Sequence, residues 1–163
     1  MQMSETDLTE AFQSLMAFEI TNAVPIADAS DQIARLIDLS ATLGSPEGAK
    51  RGIELAQQCL DRNAGPAEAA LLHYFAANAW SDLQAMSRQG ADSIVDWEQP
   101  EIEKQLIHLR RALSSDGFHA LPEVRRCQIA TNYGNLFSKS AGLLRRLKTG
   151  IKPWASTRTS RWR

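Results

Sequence analysis

Apolar residues recur along most of this chain at three- and four-residue spacing, the period of one helical face, and alternating β-branched runs are absent. From Thr6 to about Phe18 the stripe is Leu8, Ala11, Phe12 and Leu15, with Phe18 continuing it. Asp31 to Leu43 carries Ile33, Leu36, Ile37, Leu39 and Leu43, and Gly44 follows as a left-handed terminator. Ser45-Pro46-Glu47 supplies an N-cap, a first-turn proline and an acid matched to the helix dipole. The helix they open runs to about Leu60, with a buried stripe expected at Ile53, Ala56 and Leu60. Asn63-Ala64-Gly65-Pro66 breaks the chain, and Ala67 to about Met86, rich in Ala and Leu, is the strongest helix. Arg88 to Trp97 contains Gly90 and keeps no period, so it reads as a loop. Pro100 to Leu113 is helical, Ser114 to Gly117 and Pro122 interrupt, and Glu123 to about Ser140 is helical again. The pattern predicts an all-α fold of six helices paired as antiparallel hairpins.

Consecutive helices with short turns invite a search for internal repetition. Shifted by 57 residues, Ala76-Ala77-Asn78-Ala79-Trp80-Ser81 lies over Tyr133-Gly134-Asn135-Leu136-Phe137-Ser138, repeating small residue, Asn, apolar, aromatic and Ser in order. Shifted by 53, Gly52 to Leu60 lies more weakly over Gln105 to Leu113. Spacing at i, i+4 and i+7 places Tyr74, Asn78 and Ser81 on one stripe turned from Ala76, and Thr131, Asn135 and Ser138 on a matching stripe.

In these residues the chain resembles the tetratricopeptide repeat, whose two helices read Trp-x2-Leu-Gly-x2-Tyr and Ala-x3-Phe before a closing proline, over about 34 residues. Ala130-x2-Tyr133-Gly134-x2-Phe137 fits the first helix, His73-x2-Ala76-Ala77-x2-Trp80 fits it with substitutions, and Leu109-x2-Ala112 fits part of the second. The resemblance covers roughly 30 to 140, with the middle repeat lengthened by the loop at Arg88 to Trp97. It implies an N-terminal helix and linker over 1–29, a tetratricopeptide-like α-solenoid over 30–144, and a basic, disordered tail over 145–163. It also implies a scaffold that captures a peptide or helix of a partner protein on a concave face. Tyr74, Asn78, Ser81, Thr131, Asn135 and Ser138 are the partner-binding positions on this reading. Some bacterial proteins of this kind join such repeats to a helical ribonuclease-type domain. An N-terminal regulatory fragment of a larger effector protein is therefore an alternative reading.

The 163 residues suffice for one domain, and hydrophobic residues at 44% with charged residues at 23% set disorder aside. Ala69 to Trp80, the longest nearly unbroken apolar stretch, is too short to span a bilayer. The start Met-Gln-Met-Ser-Glu-Thr-Asp lacks the basic and apolar regions of a secretory signal, and two cysteines fit a cytoplasmic setting. His73, His108 and His119 are too far apart in sequence for a local metal motif, and neither Cys59 nor Cys127 has a C-x2-C partner. With no P-loop, G-x-G-x-x-G or G-x-S-x-G, the expectation is a non-enzyme without metal or cofactor. His73 reads as a helix-contact residue and Cys127 as a small core residue, while Trp97 in its loop either anchors a partner or covers the adjacent hairpin.

The net charge of −1 conceals a segregation. Residues 1–123 carry 8 Lys and Arg against 19 Asp and Glu, net −11, whereas 124–163 carry 10 Lys and Arg and no acid, net +10. Arg145, Arg146, Lys148, Lys152, Arg158, Arg161 and Arg163, interleaved with Trp154 and Trp162, can neutralise phosphates and stack on bases, so nucleic acid is a possible partner of the tail alone. A second account of the tail is a shifted reading frame, taking the third base of each codon with the first two of the next. The repeat's second-helix alanine then falls at the Arg145/Arg146 junction, where NCG permits it when the arginine codon is CGN. The aromatic falls at Thr149/Gly150, where NGG permits tryptophan, and a small residue at Lys152/Pro153, where RCC allows only alanine or threonine. The closing proline falls at Thr157/Arg158, again NCG for a CGN arginine. A native basic arm and a shifted frame both remain open at the level of sequence. They differ in the coding DNA: on the second account, restoring one base near codons 138 to 141 opens a frame that continues into repeat-like sequence. A stop codon or unrelated sequence there leaves the native arm.

Overall fold

The computed structural model describes residues 4–87 and 100–150, with backbone alone for Glu5 and 139–150. Among these residues every regular element is helical: α1 (Glu5–Met16), α2 (Ile26–Leu43), α3 (Pro46–Asp61), α4 (Pro66–Ser87), α5 (Pro100–Ser114), a 3-10 turn (Phe118–Ala120) and α6 (Glu123–Gly150). No helix among them is long and apolar enough to cross a membrane.

Local chemistry sets the boundaries. Ser4 and Asp7 form a reciprocal capping box at the start of α1, with bonds of 3.2 and 3.1 Å. Gly44 ends α2 at φ 63°, and the Ser45 hydroxyl accepts the Gly48 N–H at 3.3 Å to begin α3, with Pro46 in the first turn. This two-residue link folds α3 back against α2, and small residues let the pair approach closely. Gly48 faces the Ser40 side chain and the Phe12 ring, and Gly52 faces Ile37. The stripe expected at Ile53, Ala56 and Leu60 is rotated from the true centre of the buried face. That centre is Gly48, Ala49, Gly52, Leu55, Ala56 and Cys59, with Ile53 and Leu60 half-buried at its edge. Weighting large apolar residues misplaces a face whose close contacts are made by glycine and alanine.

Each helix packs on the next from α1 to α4 and again from α4 through α5 to α6, and α4 also reaches back to α2. Helix α4 is the hub. It contacts α2, α3, α5 and the 3-10 turn, and it buries Ala70, Leu72, Tyr74, Phe75, Ala76, Ala77, Ala79 and Leu83. A helix that is apolar around most of its circumference belongs inside. The α1–α2 linker is held from α3, where Arg51 donates to the Phe18 carbonyl at 2.9 Å and Arg62 to the Val24 carbonyl at 3.3 Å.

Three expected boundaries shift. Helix α2 begins at Ile26, not Asp31, because Pro25 precedes a run that already buries Ala29 and Ser30. The N-terminal helix α1 packs on α2 and α3 and buries Phe12 and Leu15, so a division at residue 30 cuts through both α2 and the core. Helix α6 continues to Gly150, which makes 145–150 helical rather than part of a disordered tail. Leu, Arg and Lys carry good helix propensity and no proline intervenes before Pro153, so loss of amphipathic period does not end a helix. Residues 151–163 and the 88–99 segment with Trp97 lie outside the described residues.

The bend after α5 is tied to the start of α4: Ser115 Oγ donates to the Pro66 carbonyl at 2.9 Å, and Gly117 lies against the Pro66–Ala67 backbone. A Cβ at Gly117 meets backbone that cannot rotate away. Gly117→Ala is therefore expected to destabilise by about 1–3 kcal/mol, the range for overpacking, measured by urea unfolding against wild type. A variant as stable as wild type would show that this bend is free to move.

Candidate functional site

A polar concavity lies where α4, α5 and α6 meet, with a volume of about 200 Å³. Helix α4 contributes Ala77, Asn78 and Ser81, α5 contributes Gln105 and Leu109, and α6 contributes Asn132, Asn135 and Leu136. Asn132 Nδ2 donates to Asn78 Oδ1 at 3.4 Å and ties the two outer walls together. Gln105 is buried on the floor and donates through Nε2 to Gln84 Oε1 at 2.9 Å and to the Trp80 carbonyl at 3.5 Å. The lining is thus rich in uncharged donors and acceptors over a small apolar patch. It suits hydrogen bonding to amides or hydroxyls better than ion pairing.

Of the six residues expected to bind a partner, Asn78, Ser81 and Asn135 come together here. Tyr74 does not: it is 5% exposed and part of the core beside Phe75, because α4 is packed on several sides and has no free stripe a full turn earlier. Thr131 is exposed but lines a different, shallower concavity with Val124, Cys127 and Gln128, and Ser138 is exposed outside the groove. Ala77, Gln105, Leu109, Asn132 and Leu136 complete the lining, and the spacing argument missed them. Asn132 stands three residues before Asn135, a helical neighbour that could have been found, but which face of α5 meets the groove depends on how two hairpins dock.

The structure also joins residues that are distant in sequence. His73 on α4 and His108 on α5 face each other with Nδ1 atoms 3.2 Å apart and ring centroids 5.3 Å apart. Burial lowers the pKa of both. Arg111 lowers His73 further, and His73, Arg111 and Lys104 take His108 down to about 4. His73 is thus the helix-contact residue its position implied. Cys59 is buried, which raises its thiol pKa, whereas Cys127 is exposed on α6 and is not a core residue. Among the described residues no three His, Cys, Asp or Glu side chains cluster in a way that could hold a metal ion.

The placement of the two ends of the α4 stripe is testable by stability. Tyr74→Ala is expected to cost about 3 kcal/mol, as for other buried aromatics, while Ser81→Ala stays within about 0.5 kcal/mol, both read from denaturant midpoints. Equal effects would contradict the burial pattern. In comparisons with protein families, curated proteins and solved structures, the chain matches none.

Proposed function

We propose that this chain is a tetratricopeptide-like binding scaffold, and that the groove between α4, α5 and α6 holds an extended segment of a partner protein. The convergence of Asn78, Asn135, Asn132 and Gln105 in one concavity carries the reading. An amide side chain offers a donor and an acceptor side by side, the complement of an extended backbone, whose carbonyls and N–H groups otherwise remain in water. The helix-upon-helix order and the added contact between α2 and α4 support a repeat arrangement. Binding rather than catalysis is the role this lining suits, since none of the groove residues is a titratable acid, base or nucleophilic thiol.

The experiment is affinity capture with wild type and with the Asn78→Ala, Asn135→Ala double variant. Losing two hydrogen bonds of about 1 kcal/mol each weakens capture by roughly thirtyfold, while far-UV circular dichroism is unchanged. Loss of helicity before loss of a captured protein would make both residues structural and remove the groove assignment.

The charge segregation favours a second, separable reading in which the C-terminal arm binds nucleic acid. Helical backbone to Gly150 carries Arg145, Arg146 and Lys148 as part of an arm with no acid. Retention on RNA or DNA that falls steeply with salt, and disappears on truncation after Ser140, is the expected signature. Retention unchanged by the truncation excludes it.

A further inference from the structure

We infer that the His73–His108 contact is a proton-controlled latch on the α4–α5 seam, and that acidification opens the groove walled by these helices. The inference rests on the groove being a binding surface and concerns its regulation.

Two Nδ1 atoms at 3.2 Å are compatible only with one donor and one acceptor, so the pair holds one proton between the rings. One added proton leaves a donor facing a lone pair. A second places N–H against N–H and breaks the contact. The charges that shift the pair are positive: Arg111 acts on both rings, and His73 and Lys104 act on His108. Protonation therefore meets burial and repulsion together, and both pKa values lie below the ordinary 6.5. An opened seam, with hydrated rings of ordinary pKa, binds more protons than the closed one below pH 6.5. The closed seam is fully favoured above that value and loses stability as pH falls toward about 4. The two rings titrate as a coupled pair.

The latch adjoins the groove directly. His73 stands one helical turn before Ala77, and His108 immediately precedes Leu109; Ala77 and Leu109 both line the concavity. Separation of α4 from α5 moves these two walls relative to each other and strains the Asn132–Asn78 bond across the top. Among the described residues a carboxyl near the site is also shifted into this range. Asp82, beside Ser81 on α4, is raised to about 6 by burial and by Asp38 of α2.

The test needs no partner, so it fails or succeeds independently of the capture experiment. Histidine Cε1–H signals and the side-chain amide signals of Asn78, Asn132 and Asn135 are followed by NMR from pH 7.5 to 4, with far-UV circular dichroism alongside. The amide signals are expected to move with the His73 and His108 signals below pH 6.5 while helicity is retained. His108→Asn keeps a hydrogen-bonding nitrogen near the Nδ1 position without a titratable ring, and should flatten the response. Arg111→Gln, a change at an exposed residue, should raise the midpoint by about half a pH unit through the lost repulsion, and it decides the matter if His108→Asn does not fold. Asp82→Asn should leave the midpoint in place. Amide signals that stay still, that follow Asp82 instead, or that change only as helicity is lost would overturn the latch.

Discussion

Enclosure of α4 is the constraint on which the rest of this molecule depends. A helix with buried residues around most of its surface must be surrounded, and α2, α3, α5 and the 3-10 turn supply the enclosure. Small residues set how close they come. Ala70, Ala76, Ala77 and Ala79 keep α4 thin, and Gly48 and Gly52 do the same where α3 meets α2. Interiors packed at crystal-like density transmit any added volume to their neighbours, so the positions of α5 and α6 follow from how α4 is wrapped.

Polar side chains on such a hub lie either at its few exposed edges or in seams between helices. Both cases occur on α4. Asn78 and Ser81 lie toward one edge, where α6 leaves a concavity, and His73 is half-buried at the seam with α5. Gln105 reaches from α5 to Gln84 and Trp80 across the same seam. Groove and histidine pair thus share the α4–α5 seam, with α6 closing the groove above it. That shared seam is the physical basis for coupling between them.

Among the described residues helix α6 packs chiefly on α5, touches α4 through Asn132–Asn78 and through Arg125 over the Phe75 ring, and leaves Val124 and Phe137 68% and 58% exposed. Tyr133 stacks on Phe137 with centroids 6.1 Å apart, so the aromatic pair is half-covered at best. Its polar residues consequently divide between two concavities, Asn135 facing the groove and Thr131 the shallower surface beside Cys127.

The sequence by itself determined what depends on near neighbours. Ser45, Pro46, Gly44 and Pro66 act within one turn of their own positions, which is why the helix class and most boundaries were legible. The polar stripe Asn78 and Ser81, with Asn135 opposite, was legible for the same reason, since i, i+4 and i+7 spacing is a property of one helix. Tertiary structure alone decided which stripes stay open. Tyr74 shares its stripe with Asn78 yet is buried, because α4 is covered by neighbours at one level and free at another. It alone brought His73 to His108, 35 residues apart, and Asn78 to Asn132, 54 apart. Helical period specifies a direction around an axis; what lies in that direction is set by the docking of other helices, in which small residues such as Gly48 and Ala77 count as much as large ones.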